Sequence, residues 1–437
     1  MLEDLNKFDT ELKKISSWNL TYSQKVTIIY PINLKELKYI INILKKEKKF
    51  FAIRTGECSY DSKSIVSGKN NFLISLKKFN KEIEINRKRK IISVSSGTKI
   101  SEIILLLKEK KLTLYSVPGG EHISIGGAIS ANAIGKDSSK KVSSFGDSVH
   151  YLKVITHSGK VKELKKNSKE LRNYIGSFGF FGIILEAKIK VKKIISSNLL
   201  LETKILKNIK QVQSELMKND EYKYVQVDPF FRSNNFAVIF KTNYVKNIKN
   251  NFKFINLEPN SIEKFFFKFS SLFINKITWG IFYKVFFILN KNKRKIIDLH
   301  NFHYTSKYKH MVPLICRGGL VDYEILIKKK FSSFFYLIQK FLRDNNLAPI
   351  YIVVKKLFKS KNKFFYSFNN NAYSVAISFN LKNLDNEKKI AFENLLSKNN
   401  LMINLAKTDS HFISKNKLNL KHKEIFMSLY KKMLLNK

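Results

Sequence analysis

Acidic side chains, cysteines and glycines are all in short supply. Only 34 Asp and Glu stand against 81 Lys and Arg in 437 residues, a formal net charge of +47. That balance points to a negatively charged partner without naming it. The excess is nearly all lysine, spread evenly among abundant Asn, Ile and Phe. Nucleic-acid readers concentrate Arg on one face or motif, so nucleic acid is disfavoured and an AT-rich coding bias is the simpler source. The two cysteines, Cys58 and Cys316, lie far apart and match no metal-ligand spacing. No metal is expected from them, and a reducing, cytoplasmic setting is the simplest reading. The N-terminal stretch is acidic and polar, without the apolar core of a secretory signal. Long apolar runs are missing as well: the nearest, Phe265–Asn290, is interrupted by Lys268, Lys276 and Lys284. A spanning helix is not expected. A helix lying on an anionic surface and a core helix with snorkelling lysines both remain open. Neither the dinucleotide pattern G-x-G-x-x-G nor a Walker loop occurs at a strand-to-helix turn, which disfavours a Rossmann domain.

What the chain does have is a concentration of its few glycines. Of 16 in all, six fall at 119, 120, 126, 127, 135 and 146, with small residues between them. Glycine is needed where the backbone takes positive φ or where another group comes close. A run of bare amides can converge on a pyrophosphate. A second such segment, Arg54–Tyr60, follows the short apolar strand 50–54. Together they argue for a large phosphate-bearing cofactor over a loop merely packed on a helix.

The balance of 44% hydrophobic and 26% charged residues is that of an ordered globular chain long enough for two or three domains. Asn33 and Glu36 form a capping-box pattern ahead of Leu37, Ile40, Ile41 and Leu44, one face of a helix. Strands are expected at 71–76, 82–86, 90–97 and 181–191, a helix from Ser101, a hairpin over Tyr151–Leu164 turning at 157–160, and a helix over Ser168–Tyr174. Beyond residue 195 the pattern changes. Strands are expected at 222–229, 235–242, 320–327, 349–357, 372–380 and 401–406, and helices at 205–217, 328–344, 384–398 and 421–434. That order suggests an antiparallel sheet covered by helices on one side, an α+β layering. Residues 245–300 receive no assignment.

With these residues in place, the chain resembles the FAD-linked oxidases of the vanillyl-alcohol oxidase type, with a PCMH-type FAD domain. More closely it is similar to the oxidase subunits of decaprenylphosphoryl-ribose 2′-epimerases. The segment Arg54-Thr55-Gly56-Glu57-Cys58-Ser59-Tyr60 resembles the family's first phosphate loop. Pro118-Gly119, Ser124-Ile125-Gly126-Gly127, Gly135-Lys136 and Ser144-Phe145-Gly146 resemble its second loop. Gly182-Ile183-Ile184 matches the strand that closes over the flavin, and Trp18 lies in a segment like the family's N-terminal one. Val321-Asp322-Tyr323-Glu324 and Ala406-Lys407-Thr408-Asp409-Ser410 resemble substrate-side motifs.

The resemblance implies an FAD-binding domain over residues 1–196, a substrate or cap domain over 197–410, and a C-terminal helix over 411–437 that returns to the first domain. It implies FAD gripped through Arg54–Ser59 and Ser124–Gly127, with Ala131, Asn132, Gly135 and Gly146 nearby and Ile184 touching the ring. The expected reaction is hydride transfer from a secondary C–OH carbon to flavin N5. Lys407 and Tyr60 would orient the hydroxyl or a neighbouring phosphate, Tyr323 would line the pocket, and Glu324 would accept a proton. The implied substrate is a polyprenyl-phosphate-linked sugar, with a separate short-chain reductase completing an epimerisation, at the cytoplasmic face of a membrane.

Several positions depart from the family. Cys58 stands where covalently flavinylated relatives carry His, so a dissociable FAD is expected. Ile134 replaces a His, Ala376 a pocket Cys and Asn404 a flavin-contacting Tyr, while Glu57 replaces a glycine near the diphosphate. An FAD-dependent oxidase of a soluble sugar, alditol or aldonolactone therefore stays open, as does a binder of anionic surfaces without catalysis.

Overall fold

The computed structural model describes residues 2–408, apart from 61–63, 66–70, 80–81, 157, 167, 247–257, 305–309, 312–314, 317 and 369. The first sheet holds β1 (Thr10–Ser16), β2 (Ser23–Ile29), β3 (Phe51–Arg54) and β4 (Phe72–Ser75) in the order β1-β2-β4-β3. Strand β4 runs parallel to both β2 and β3. Between β2 and β3 lies α1 (Leu34–Lys46), whose N-terminus is capped as its sequence predicts: Glu36 N donates to Asn33 Oδ1 at 2.9 Å. Leu37, Ile40 and Leu44 on α1 are fully buried against Ile29 and Ile74 of this sheet and Ile155 and Ile183 of the next. The helix is thus the joint between two sheets.

The second sheet is antiparallel. Strands β5 (Ile83–Asn86), β6 (Ile91–Ser95), β8 (Val149–Thr156), β9 (Val161–Lys165) and β10 (Gly182–Lys193) lie in the order β5-β6-β10-β8-β9. Strand β7 (Leu112–Leu114) pairs with the far end of β10. Helices α2 (Ile100–Glu109), α3 (Ile125–Ser130) and α4 (Lys169–Tyr174) accompany it. Gly159, at φ +82°, makes the β8–β9 turn that the hairpin pattern required. The short helix α3 was not anticipated, since two of its six residues are glycine, a poor helix former.

Past Lys193 the chain enters an eight-stranded antiparallel sheet. Its strands are β11 (Asn198–Leu206), β12 (Tyr222–Val227), β13 (Ala237–Tyr244), β14 (Arg294–Asp298), β15 (Leu320–Ile327), β16 (Tyr351–Leu357), β17 (Ala372–Asn380) and β18 (Met402–Ile403). Their order is β14-β11-β13-β12-β16-β17-β15-β18. One face is covered by α5 (Ile209–Met217), α9 (Phe331–Asp344) and α10 (Asn386–Lys398) over a continuous apolar core. The layering is therefore the α+β arrangement expected, although the strand expected over 401–406 shrinks to two residues. The stretch left unassigned contains α6 (Ser261–Phe273), α7 (Lys276–Leu289) and β14, followed by α8 (Leu299–His303). Asn275 caps α7 through the Ile277 and Thr278 amides and separates it from α6. The helix expected at 421–434, with the whole 411–437 segment, lies outside the described residues.

Candidate active site

Strand β3 delivers the first glycine segment to a point where three loops touch. Arg54 is buried and anchors the turn: its Nη2 donates to Ser16 O at 2.7 Å and its Nη1 to Ser64 Oγ at 3.0 Å. A Cβ on Gly56 would stand 2.3 Å from the His122 carbonyl oxygen and 2.8 Å from Ser124 N. Only glycine allows the two backbones to come so close. Beside it, Glu57 takes φ +57° and turns its carboxylate to Lys77 Nζ at 2.6 Å. Its charge is therefore paired with a surface lysine. Cys58 Sγ donates to Gly56 O at 3.2 Å, and Ser59 O accepts from Trp18 N at 3.0 Å.

The third loop, Ser96-Gly97-Thr98, follows β6 and had no place among the expected site residues. A Cβ on Gly97 would meet Leu76 O at 2.4 Å and Thr55 Cγ2 at 3.6 Å. Ile125 N donates to Thr98 O at 2.9 Å, and Gly126 N to Ser96 O at 2.8 Å. Gly127 N turns to the Ser124 side chain that caps α3. These three amides were expected to face a diphosphate, but in this structure they are committed to protein oxygens. In exchange, the buried hydroxyls of Ser96 and Thr98 have no hydrogen-bond partner among the described residues. Buried polar groups are ordinarily satisfied, so two orphan hydroxyls at a glycine-lined junction are available to a polar ligand or an ordered water.

Other expected cofactor positions have their own packing reasons. Pro118 is buried in the second loop, whereas a Cβ on Gly119 would meet only open space. Ala131 ends α3, its N–H on Gly127 O. Asn132, at φ +46°, accepts from Gly146 N at 3.1 Å and donates to Tyr366 O at 3.3 Å, tying the second loop to the cap. Gly135 lies against Asp137 and Val117, and Gly146 against Ile175. Gly182, at φ +140°, leaves room for the Ile155 carbonyl, and Ile184 is buried in the second sheet's core.

The cap sheet supplies the charged half of the site. Strand β15 alternates, sending Tyr323 and Ile325 to the helix-covered face and Asp322 and Glu324 to the other. Lys407 Nζ lies 3.1 Å from Asp322 Oδ2 and 3.5 Å from Glu324 Oε2. Ser378 donates to Asp322 Oδ1 at 2.9 Å, Ser374 to Glu324 Oε1 at 2.6 Å, and Asn404 Nδ2 to Glu324 Oε2 at 2.8 Å. Burial alone would raise the Glu324 pKa, but the Lys407 and Lys355 ammoniums and the two hydrogen bonds outweigh it and hold it at about 2. Lys355 is pushed below the ordinary lysine value, chiefly by burial, against the pull of Glu324.

Tyr60 joins the halves. From the first glycine loop its hydroxyl donates to Asp322 Oδ2 at 3.0 Å, while its ring lies 4.8 Å from Trp18. Tyr351 reaches the same oxygen at 3.4 Å. Three of the four residues expected to carry chemistry, Tyr60, Glu324 and Lys407, therefore meet. Tyr323 does not: its hydroxyl donates to Glu393 Oε1 at 2.7 Å, and its ring packs on Phe379 and Phe392 in the helix-side core. The period-2 alternation places neighbours 322 and 323 on opposite faces, so it cannot line the pocket. Glu324 is also corrected in role, because a carboxylate held at about 2 is a weak base.

Next to this face lies a second buried pair. Lys136 Nζ donates to Phe302 O at 3.1 Å and stands over the Tyr224 ring, and burial with repulsion from Lys355 lowers it to about 7. Burial raises Asp137 to about 7 although it accepts from Val117 N at 2.9 Å. Lys136 appeared in the sequence only within a loop match, and Lys355 and Asp322 had no assigned role. Strict alternation on β15 and β16 was the available signal for the last two.

Residues 27–165 match the family model described as FAD binding domain. The first lobe therefore contains an FAD-binding domain over these residues. No curated protein matches the chain. Among solved structures, cholesterol oxidase from Brevibacterium sterolicum superposes with a TM-score of 0.70 at 10% identity, over 92% of this chain and 87% of that one. A histidine-to-alanine variant of the same enzyme gives 0.63 at 10% identity, over 86% and 80%. The likeness extends the shared fold from the FAD-binding domain through the cap. The three-loop junction fits the cofactor through the orphan Ser96 and Thr98 hydroxyls, which would hold its diphosphate, while Gly56 and Gly97 let the neighbouring backbones close up around them.

Proposed function

We propose that the protein is an FAD-dependent oxidoreductase that oxidises a secondary CH–OH group of a polyprenyl-phosphate-linked sugar, one half of an epimerisation completed by a separate reductase. The observation that carries the redox reading is the meeting at Asp322, where Tyr60 from the cofactor loop and Lys407 from the cap share one carboxylate oxygen. When bound, FAD would supply the acceptor for a hydride from the carbinol carbon. The chain's own task is to place the hydroxyl and receive its proton. Lys407, fixed between two carboxylates, is aimed to donate to the substrate oxygen and to polarise it. A hydroxyl taking the position of the Tyr60 O–H would pass its proton to Asp322, which already accepts there. The Asp322 and Glu324 carboxylates flank the Lys407 ammonium and hold it in place.

Support for the lipid phosphate comes from the family resemblance and from the lysines gathered at the site, Lys407 and Lys355. The Cys58 thiol, turned to its own loop's carbonyl, favours a dissociable FAD. Purified protein should be yellow, release its flavin on acid precipitation, and bleach anaerobically with a polyprenyl-phosphate sugar. Bleaching by free sugars, alditols or aldonolactones instead would replace the substrate while keeping the oxidase. A colourless protein that takes up no FAD would refute the redox reading.

A further inference from the structure

The largest feature unused by this chemistry is the α6–α7 hairpin. Helix α6 runs 13 residues with only Ser271 buried. Phe265, Phe266, Phe269 and Phe273 all stand exposed, Phe265 at 67%. On α7, Ile277 and Ile288 reach 76% and 71% exposure. Scattered exposed apolar residues are ordinary, but two successive helices presenting them are not. The hairpin is nonetheless firmly seated. Trp279 Nε1 and the Tyr283 hydroxyl both donate to Ile350 O, at 2.9 and 3.0 Å, and Phe287 is buried.

We infer that this hairpin docks the protein on an anionic lipid bilayer, its aromatic face in the headgroup boundary and its lysines against the lipid charge. Charge complementarity selects that occupant. From residue 261 to 297 the sequence has eight Lys and Arg and one acidic residue, Glu263, which is engaged in capping α6. Lys264, Lys268, Lys276 and Lys284 are all exposed among the apolar side chains. A second copy of the chain would bring lysines against lysines under a net charge of +47 each, whereas an anionic surface pairs them. Among the described residues no helix is long and apolar enough to cross a membrane, so the contact is interfacial. Trp279 also packs in one cluster with Trp18, Tyr60 and Tyr351, the last two being partners of Asp322. Docking would therefore hold the mouth of the site at the lipid surface.

The test is co-sedimentation with vesicles. The full chain should pellet with mixed phosphatidylglycerol–phosphatidylcholine vesicles and not with phosphatidylcholine alone. Lys264→Gln with Lys268→Gln and Lys284→Gln should weaken partitioning about fivefold per charge removed. Phe265→Ser with Phe269→Ser and Ile288→Ser should abolish it while the melting temperature stays unchanged, since these side chains are exposed. A wild-type protein left in the supernatant would overturn the inference. So would undiminished binding by the serine variant, or a wild-type dimer that the serine variant makes monomeric. The inference does not rest on the redox reading: a colourless protein that pellets would sink only that reading, and a yellow one that does not pellet only this.

Discussion

The glycine junction and the cap-sheet face meet at Tyr60, yet they are built on opposite terms. At the junction the working parts are backbone and small hydroxyls, and specificity comes from how closely three loops can approach. On the cap face the working parts are long charged side chains, held in place by mutual attraction away from water. The first arrangement tolerates no added atom. The second tolerates changes of shape but not of charge, because the Lys407 and Lys355 ammoniums hold the buried Glu324 carboxyl well below its ordinary pKa.

The sharpest way to break the comparison is Gly56→Val. Its Cβ would fall 2.3 Å from a backbone carbonyl, which no rotamer change relieves. The expected result is loss of bound flavin and of all activity, read from the visible spectrum; retained colour would remove the junction from the cofactor site. Next, Lys407→Met should lower turnover about 10²–10⁴-fold with flavin still bound. Lys355 continues to face the carboxylates in that variant. Unchanged turnover would mean the cap face is structural.

Acid should reveal the same charge dependence. The Glu324 pKa falls from 4.5 to about 2 on folding, so its stabilisation is complete above about 4.5 and disappears as pH drops toward 2. That amounts to about 3 kcal/mol across the window. Glu324→Gln should flatten the stability–pH curve there, as urea titrations would show. The smallest effect belongs to Tyr323→Phe, on the wrong face for chemistry. It should cost about 1 kcal/mol through the lost bond to Glu393 and leave turnover within about twofold.

Much of the scaffold was legible because its causes are local. The Asn33 cap, the apolar stripe of α1 and the turn at Gly159 depend on residues within a few positions of one another. The stretch that holds α6 and α7 was legible only as a helix either on the surface or in the core, since its apolar residues follow no buried stripe; most face outward. The second loop was read correctly as a place of close approach but not for what approaches it. The Ser96–Thr98 carbonyls, rather than an anion, take the Ile125 and Gly126 amides.

By itself the sequence determined the α+β layering, the clustering of glycines and the excess of positive charge, because each follows from residue type and short-range period. Folding alone decided that Tyr60 and Asp322, 262 residues apart, share a hydrogen bond, and that Lys407 stands between Asp322 and Glu324 while Tyr323 turns away. Alternation assigns residues to two faces of a strand; only the packed helices on one side and the glycine loop bearing Tyr60 on the other settle which face holds the charges.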